Sequence, residues 1–391
     1  MKLIADRILK NRIYPALARH EARPYTQSWR EFGQHWPWTI PFRLQEYCDA
    51  HGITLDIVSI NDVASDDLAY YPIGIGFFDF EIDYIALLPD LVMQKLSQGS
   101  VVLLFYYHEG DNPRRIKNRL DQLCQQHQLN SQCYRFISGN SAAKNIPGFV
   151  YFPDFEFWYF QRNLECTPVQ YSGPRTHDFT LLNRLHKTWR AIAVSDLHRH
   201  GLLNNSFWSY CETGELGNDS PIEVDLISRL RWDTTKFLEN GPYFCDDLAQ
   251  QQRNDHSLLI EKFYSQSWCN IVMETHFDAD QSGGVFLTEK TFKPIKHGQL
   301  FFVAGCAGSL SLLRELGYRT FDSVLDNSYD LIQDATQRWI ALREAIAQAQ
   351  PQLPKLFELA RADIEHNQQL FLSNKSQRLN TLFKDIHEQY R

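Results

Sequence analysis

Apolar runs and amphipathic segments alternate through the first half of the chain. Runs rich in Val, Ile, Leu, Phe and Tyr predict buried β-strands at residues 53–60, 71–78, 100–107 and 133–138. Apolar residues at helical spacing predict helices at residues 83–97 and 113–127. Strands that alternate with helices indicate a parallel sheet covered on both faces. Residues 1–45 have a basic, helix-like start and then an aromatic, proline-broken stretch.

The alternation starts again in the second half, after a looser stretch at 161–177 that carries Pro168, Gly173 and Pro174. Strands are predicted at residues 179–182, 206–210, 269–274 and 299–304. Helices are predicted at residues 187–200, 288–297 and 308–316, with a mostly helical insertion at 221–266. The final stretch, 332–391, is polar and predicts helices without a strand.

These patterns predict an α/β protein with two Rossmann-like domains and a C-terminal helical tail, the arrangement called GT-B. We place the N-terminal domain at 1–165, a linker at 166–177, the C-terminal domain at 178–340 and the helical tail at 341–391. The alternative is a single large α/β domain with insertions.

Composition narrows the class of protein. Hydrophobic residues make up 43% of the 391 residues, which suits globular packing, and no run approaches the roughly 18 apolar residues of a membrane span. The start of the chain turns charged too early for a signal peptide, and the eight cysteines show no metal-ligand spacing. We therefore expect a soluble, reduced, cytoplasmic protein. A net charge of −8 argues against a general nucleic-acid surface.

The most informative motif is a Gly-rich turn, Gly283-Gly284, that leads into Thr288-Glu289-Lys290 at the predicted start of a helix. Thr288 suits the N-cap, and Lys290 and Lys293 lie one turn apart. Free helix amides, two lysines and one carboxylate can together hold a diphosphate and a ribose hydroxyl. The plainer interpretation is a solvated, lysine-rich helix start.

A second motif, residues 107–113, follows the most apolar strand of the N-terminal half. Glu109 stands at the strand end beside a tight turn, where it can serve as a general base. Alternatively, Asp111 or Asn112 merely caps the next helix and Glu109 is a surface residue. The turn needs the cap but does not need the Glu, which favours the functional interpretation.

A third motif runs from Asn183 to Arg190, from a strand end into a helix. Its basic residues suit anion binding at a helix start, and Arg190 can reach back to a phosphate. An ordinary basic helix face fits the same residues.

Glu274 ends another predicted strand, and the following loop carries Asp278 and Asp280 in an Asp-x-Asp spacing. In an acidic loop that spacing arises by chance far more often than as a metal site. The Gly-rich turn 305–309 can cradle a phosphate or simply turn the chain, and we interpret Cys306 within it as structural.

Taken in order, these motifs resemble the donor-binding signature of the α-1,3-fucosyltransferase family, family 10 of the glycosyltransferases. The resemblance is carried by Glu274-Thr275-His276 and residues 286–294, by Asn183 and Arg190 at matching spacing, and more briefly by residues 107–113. It covers mainly residues 180–330. Similar patterns occur in uncharacterised sugar transferases of bacteria and their viruses.

The resemblance implies an inverting, metal-independent glycosyltransferase that uses a nucleotide-diphosphate sugar, with a GDP-linked donor favoured and no cofactor. It implies that Glu109 is the catalytic base. The implied donor-binding residues are Asn183, Arg190, Glu274, Thr288, Glu289, Lys290 and Lys293, with Arg190 and Lys290 on the diphosphate, Glu289 on the ribose and Glu274 near the sugar.

The chain also departs from the family. Thr275-His276 replaces Asn-Ser, Phe292-Lys293-Pro294 replaces a Trp-containing segment, and the loop before Thr288 is longer. The identity of the sugar, which could be fucose, therefore stays open. The acceptor also stays open among a glycan, a lipid-linked sugar, a protein and a nucleic acid, and so does a homo-oligomeric state. A non-catalytic nucleotide-sugar-binding protein is one alternative function. A transferase acting on modified nucleic acid, with the basic run 114–119 as its contact, is another.

Overall fold

The computed structural model describes residues 2–4, 48, 50–75, 78–107, 109–157, 171, 173–217, 222, 234–245, 260–278 and 282–388. The chain divides into two compact units. Unit 1 is Met1–Asp154 together with Asn374–Arg391, and unit 2 is Phe155–Ser373. The domain bounds predicted from the sequence, 1–165, 178–340 and a tail at 341–391, stay predictions.

Unit 1 contains a parallel sheet with strand order β2-β1-β3-β4-β5-β6. Its strands are β1 (Lys2–Ile4), β2 (Asp56–Val58), β3 (Ala69–Ile75), β4 (Val101–Tyr107), β5 (Tyr134–Ser138) and β6 (Phe149–Tyr151). Helices α1 (Asp90–Ser97) and α2 (Pro113–Gln126) connect β3 to β4 and β4 to β5. Helix α2 begins where Asn112 accepts a hydrogen bond from the Arg114 amide, with Pro113 in the first turn.

Three features of unit 1 differ from what the sequence predicted. Residues 2–4 form a strand rather than the start of a helix, because β1 pairs with both β2 and β3 and this pairing overrides local preference. The short strand β6 was not predicted, since three residues carry too little alternation. The helix predicted from residue 83 begins only at Asp90, after Pro89, while the Asp83 side chain closes a turn by accepting from the Ile85 and Ala86 amides.

Unit 2 contains a second parallel sheet, with strand order β10-β9-β7-β8. Its strands are β7 (His177–Asn183), β8 (Phe207–Tyr210), β9 (Ser267–Met273) and β10 (Leu300–Ala304). Its described helices include α3 (Thr188–Arg199), α4 (Glu261–Ser265), α5 (Glu289–Lys296), α6 (Ser309–Glu315), α7 (Ala335–Ala349), α8 (Leu353–Leu359) and α9 (Arg361–Ser373). The last helix, α10 (Lys375–Glu388), belongs to unit 1.

Two parallel sheets with connecting helices confirm an α/β protein, and they are compatible with two Rossmann-like folds. Most of the helical insertion predicted at 221–266 lies outside the described residues; within it, residues 234–239 and α4 are helical. In the described part of the chain no helix is both long and apolar enough to cross a membrane.

The strand order of unit 2 contains a switch point. From β7 the chain passes through α3 to β8 on one side of β7, and it then returns to β9 on the other side. Helices that leave neighbouring strands in opposite directions open a crevice at the carboxyl ends of those strands, where open α/β sheets bind ligands. In unit 2 this edge lies after Asn183 and Met273.

Candidate functional site

The candidate site is built from the strand ends at this switch point. Strand β7 ends at Asn183, and Glu274 directly follows β9. Helix α3 begins five residues after β7 ends, and Arg190 in its first turn reaches back to the end of β9. Two of the sequence motifs, which are far apart in the chain, therefore meet at one edge of the sheet.

Glu274 connects the Thr288-Glu289-Lys290 motif to the same edge. It is completely buried, and its Oε1 atom accepts from the Thr288 amide at 2.9 Å and from the Thr291 hydroxyl at 2.6 Å. Its Oε2 atom accepts from the Thr288 hydroxyl at 2.7 Å and from the Thr275 amide at 3.2 Å. A carboxylate has about four acceptor positions, and all of them are used. Glu274 therefore fixes the start of α5 to the end of β9.

The start of α5 has the cap that the sequence predicted. Thr288 is the N-cap, and its hydroxyl accepts from the Lys290 amide at 3.4 Å. The Lys290 ammonium donates to the Thr288 hydroxyl at 3.1 Å and to Glu289 Oε1 at 3.2 Å, while its side chain stays 30% exposed. Glu289 is buried. Lys290 is thus held at the helix start with its charge still in reach of solvent, where its exposed ion pair adds little stability.

Arg190 brings a buried positive charge to the site. Its Nη2 atom donates to the carbonyls of Met273 and Glu274, at 3.2 and 2.7 Å, so both partners are neutral backbone groups. Burial lowers the pKa of Arg190, and the nearby charges of Glu274 and Glu289 act in the opposite direction. An arginine nevertheless stays protonated in a protein. Its Nε atom is buried and has no hydrogen-bond partner.

Asn183 provides a second buried donor without a partner. Its side chain is 2% exposed, and its Nδ2 atom makes no hydrogen bond. Buried polar groups in native proteins are almost always satisfied, because an unsatisfied donor costs about 1–3 kcal/mol. Two such donors therefore lie at one strand-end edge, and each is able to donate to an acceptor oxygen of a ligand.

The start of α3 adds a third donor group. The N-cap position is Lys187, which makes no side-chain hydrogen bond to the first-turn amides, in contrast to Thr288 at α5. The Lys187 ammonium donates instead to the Thr275 carbonyl at 2.8 Å. An uncapped start of a twelve-residue helix attracts anions through its amides and its dipole.

A strap formed by residues 211–217 lies along the turn that carries these groups. The amides of Cys211 and Glu212 donate to the carbonyls of Asn183 and Arg184, and the Gly217 amide donates to the Thr188 hydroxyl. His186 bonds the Glu215 carbonyl and the Tyr210 hydroxyl through its two ring nitrogens. A side chain at Gly214 would lie 2.8 Å from the His186 ring, so only glycine lets the strap pack this closely.

The turn 305–309 does not offer the phosphate cradle that its glycines suggested. The Asp330 carboxylate already accepts from the Leu310 and Ser311 amides at the start of α6. Gly305 is instead required by packing, because a Cβ there would lie 2.7 Å from Ser309 Oγ. Cys306 is buried, which raises its pKa to about 11 and fits the structural role expected for it.

Glu109 lies in unit 1, after β4, and is half-buried. The turn that follows is fixed from two sides: the Asn140 amide donates to the Gly110 carbonyl at 2.9 Å, and the Tyr107 hydroxyl donates to Asp111. Asn112 caps α2, as one of our alternatives expected. That cap does not involve Glu109, so it neither supports nor excludes a role for Glu109 as a general base, and this role stays a prediction. Within its sheet, β4 lies one strand away from the switch point between β1 and β3.

The remaining predicted residues lie apart from the strand-end cluster or outside the described chain. Lys293 is half-buried, and its charge acts on His297 at the far end of α5, where it helps to lower the pKa. Asp278 is described, but its predicted metal partner Asp280 is outside the described residues. Among the side chains that the structure describes, no group of three or more His, Cys, Asp or Glu residues is placed to hold a metal ion.

A surface cleft of about 400 Å³ lies at the opposite edge of the same sheet. Thr176 and Gln266, which directly precede β7 and β9, line it together with Glu261. Parallel α/β sheets bind their ligands at the carboxyl ends of the strands. We therefore place the candidate site at the switch point and not in this cleft.

Sequence reasoning missed several residues that shape the site. Thr291, which binds the Glu274 carboxylate, is one of them. Lys187 was expected only as part of a basic motif for anions, and its contact with the Thr275 carbonyl was not predicted. Arg338, in α7, donates to the carbonyls of Gly305, Phe277, Ile332 and Gln333 and so fixes the loops that flank β9 and β10. Thr291 stands three residues after Thr288, a helical spacing that placed both hydroxyls on one face. Nothing in the sequence pointed to Arg338.

Comparison with known proteins found no family model, no curated protein and no solved structure that matches this chain. The family resemblance therefore depends on the motifs quoted above.

Proposed function

We propose that this protein is an inverting, metal-independent glycosyltransferase that takes its sugar from a nucleoside-diphosphate donor bound in unit 2. One observation carries the proposal. At the switch point of the sheet, two buried donors, Asn183 Nδ2 and Arg190 Nε, have no partner, and they stand beside the uncapped start of α3. All of these groups are donors and one is cationic, so the ligand must bring anionic or acceptor oxygens.

A diphosphate suits this set of groups better than a carboxylate does. The cations Arg190 and Lys290 stand at different helix starts, which Glu274 joins through its carboxylate and its carbonyl. A diphosphate has several oxygens on two linked phosphates, so it can contact two helix starts at once. A single carboxylate has two oxygens on one carbon and contacts only one helix start. We assign Glu289 to the ribose hydroxyls, as the motif resemblance implies.

Glu274 receives a different role in this proposal from the one implied by resemblance. Its carboxylate has no acceptor position left for a sugar hydroxyl. We assign it as a positioning residue that holds Thr288 and the first turn of α5. It also leaves a buried negative charge near Arg190, which partly offsets the cost of burying that cation.

The chemistry assigned to the site is a single displacement. The acceptor hydroxyl oxygen attacks the anomeric carbon and forms the new glycosidic bond, and its proton passes to a general base, the role that the motif resemblance implies for Glu109. The bond from the anomeric carbon to the diphosphate breaks, and the diphosphate leaves with the electron pair. Arg190, Lys290 and the α3 amides stabilise the charge that develops on the leaving group, which is the term that usually contributes most to such reactions.

The test is a thermal-shift screen of the full chain against GDP, UDP, CMP, TDP and their sugar conjugates, in EDTA and in Mg²⁺. A nucleotide at about 100 times its dissociation constant stabilises by about 2.7 kcal/mol. We expect one nucleotide to stabilise the wild type in EDTA but not Lys290→Ala, and to stabilise the surface control Lys355→Ala like the wild type.

Two results of the screen would revise the proposal. Stabilisation that needs Mg²⁺ would restore the metal interpretation of Asp278 and Asp280. Equal stabilisation of wild type and Lys290→Ala would remove the nucleotide from this site. A non-catalytic binding protein would give the expected shifts but no sugar transfer, and a transferase acting on nucleic acid would show salt-dependent retention on DNA.

A further inference from the structure

Unit 1 contains a pair of cysteines that plays no part in the proposed function. Cys124, near the end of α2, and Cys133, in the short turn before β5, bring their sulfur atoms to 3.6 Å. They are nine residues apart in the chain. Both are buried, at 2% and 8% exposure, within the apolar core of the unit.

We infer that Cys124 and Cys133 form a redox site that peroxide oxidises reversibly to a disulfide. The sulfur atoms are in contact at 3.6 Å, so each thiol lies within reach of the other. Other described buried cysteines offer a contrast. Cys269 donates to a backbone carbonyl, and Cys306 lies beside the Ser282 hydroxyl, so neither touches a second thiol.

The surroundings make Cys133 the residue that reacts first. The contact with the Cys124 thiol lowers the pKa of Cys133, and the charge of Arg135 acts in the same direction, whereas burial opposes both. The same contact raises the pKa of Cys124, together with burial. Cys133 is also the more exposed of the two, and its neighbours Ser131 and Gln132 are on the surface. A thiolate with access to solvent is the form that peroxide attacks.

The chemistry balances in two steps. The Cys133 thiolate attacks hydrogen peroxide, the oxygen–oxygen bond breaks, and a sulfenic acid and hydroxide form. The Cys124 sulfur then attacks the sulfenic sulfur, hydroxide leaves, and it takes up the Cys124 proton as water. In sum the two thiols lose two electrons and two protons, and one peroxide becomes two waters. A dithiol reductant reverses the change by thiol–disulfide exchange.

The new bond would close the connection between α2 and β5. Closing a loop of this length restricts the unfolded chain, so the oxidised protein should melt about 5 °C higher than the reduced protein. This inference does not depend on the nucleotide site in unit 2.

The experiment treats the native wild-type chain with hydrogen peroxide, alkylates the remaining thiols after unfolding, and digests with trypsin. Residues 120–135 form one tryptic peptide that holds Cys124 and Cys133 and no other cysteine. We expect this peptide to lose the mass of two hydrogens and to take no alkyl group, and we expect dithiothreitol to restore both alkylation sites. Cys269 and Cys306 should stay fully alkylated under the same treatment.

Two results would overturn the inference. One is that Cys124 and Cys133 remain as fully alkylated as Cys269 and Cys306. The other is that Cys133 is oxidised to sulfinic acid while Cys124 stays alkylated, which would show that the pair does not close. The variant Cys124→Ser serves as a control. Its Cys133 has no partner thiol, so it should form no disulfide within the peptide and should no longer be protected from alkylation.

Discussion

Replacing Glu274 by glutamine keeps the size of the side chain and removes its charge, and we expect this change to destabilise unit 2 before any ligand is added. The carboxylate accepts from two backbone amides at opposite oxygens, the Thr288 amide at Oε1 and the Thr275 amide at Oε2. Glutamine has one acceptor oxygen, so in either orientation its NH2 group faces one of these amides. Neither backbone donor can rotate away.

The expected magnitude follows from these contacts. A hydrogen bond to a charged group is worth about 1.5–3 kcal/mol, and a buried donor left unsatisfied costs about 1–3 kcal/mol. The substitution also removes a negative charge near the buried cation Arg190. We therefore expect Glu274→Gln to lower the free energy of unfolding by about 3–5 kcal/mol. For a unit of this length, that lowers the melting temperature by about 10 °C.

The assay is calorimetric or denaturant unfolding of the ligand-free protein, followed by nucleotide binding. Asp330→Asn is the matched control, because Asp330 is also a buried carboxylate that accepts backbone amides at a helix start in unit 2. Both variants should lose stability, but only Glu274→Gln should also lose nucleotide binding. The reasoning fails if ligand-free Glu274→Gln stays within about 1 kcal/mol of wild type, since Glu274 would then act as a ligand contact and not as a positioning residue.

Three further predictions test other parts of the account. Burial lowers the pKa of His297 to about 3, so as the pH falls the unfolded chain takes up a proton on this residue before the folded chain does. The stability that the neutral His297 contributes is therefore complete above about pH 6.5 and is lost at lower pH. His297→Gln should remove about 3 kcal/mol from the fall in the free energy of unfolding that is measured between about pH 7 and pH 4. Gly305→Ala should destabilise by about 1–3 kcal/mol in denaturant unfolding, and adding Ser309→Ala should recover most of it, because Ser309 Oγ is the atom that the new methyl group meets. Glu109→Gln should keep nucleotide binding while the rate of sugar transfer falls by a factor of about 100 to 10,000; an unchanged rate would exclude Glu109 as the base.

Local chemistry made some features predictable from the sequence. Thr288 was expected at a helix start, and Asn112 was one of two alternatives for another, because a cap is formed by residues two or three positions apart; the structure has both caps. The long apolar strands β4 and β9 were predicted for a similar reason: a buried strand is a continuous run of mostly apolar residues, which is visible in the local sequence.

Features that depend on strand order could not be found in this way. The meeting of Asn183 with Glu274 requires that β7 and β9 be neighbours, although the whole of β8 lies between them in the chain. The role of Glu274 depends on Thr288 and Thr291, which are 14 and 17 residues away. The missing partners of Asn183 and Arg190 become visible only when every neighbouring group has been placed.

The most direct test of the central claim is a calorimetric titration of nucleoside diphosphates, in EDTA, into the wild type and Arg190→Lys. Lysine keeps the positive charge but lacks the guanidinium donors, including the Nε atom that has no partner in the protein. We predict that one nucleoside diphosphate binds the wild type and that its dissociation constant rises about tenfold or more in the variant. If none binds, or if one binds both proteins equally well, the switch point of unit 2 is not a diphosphate site.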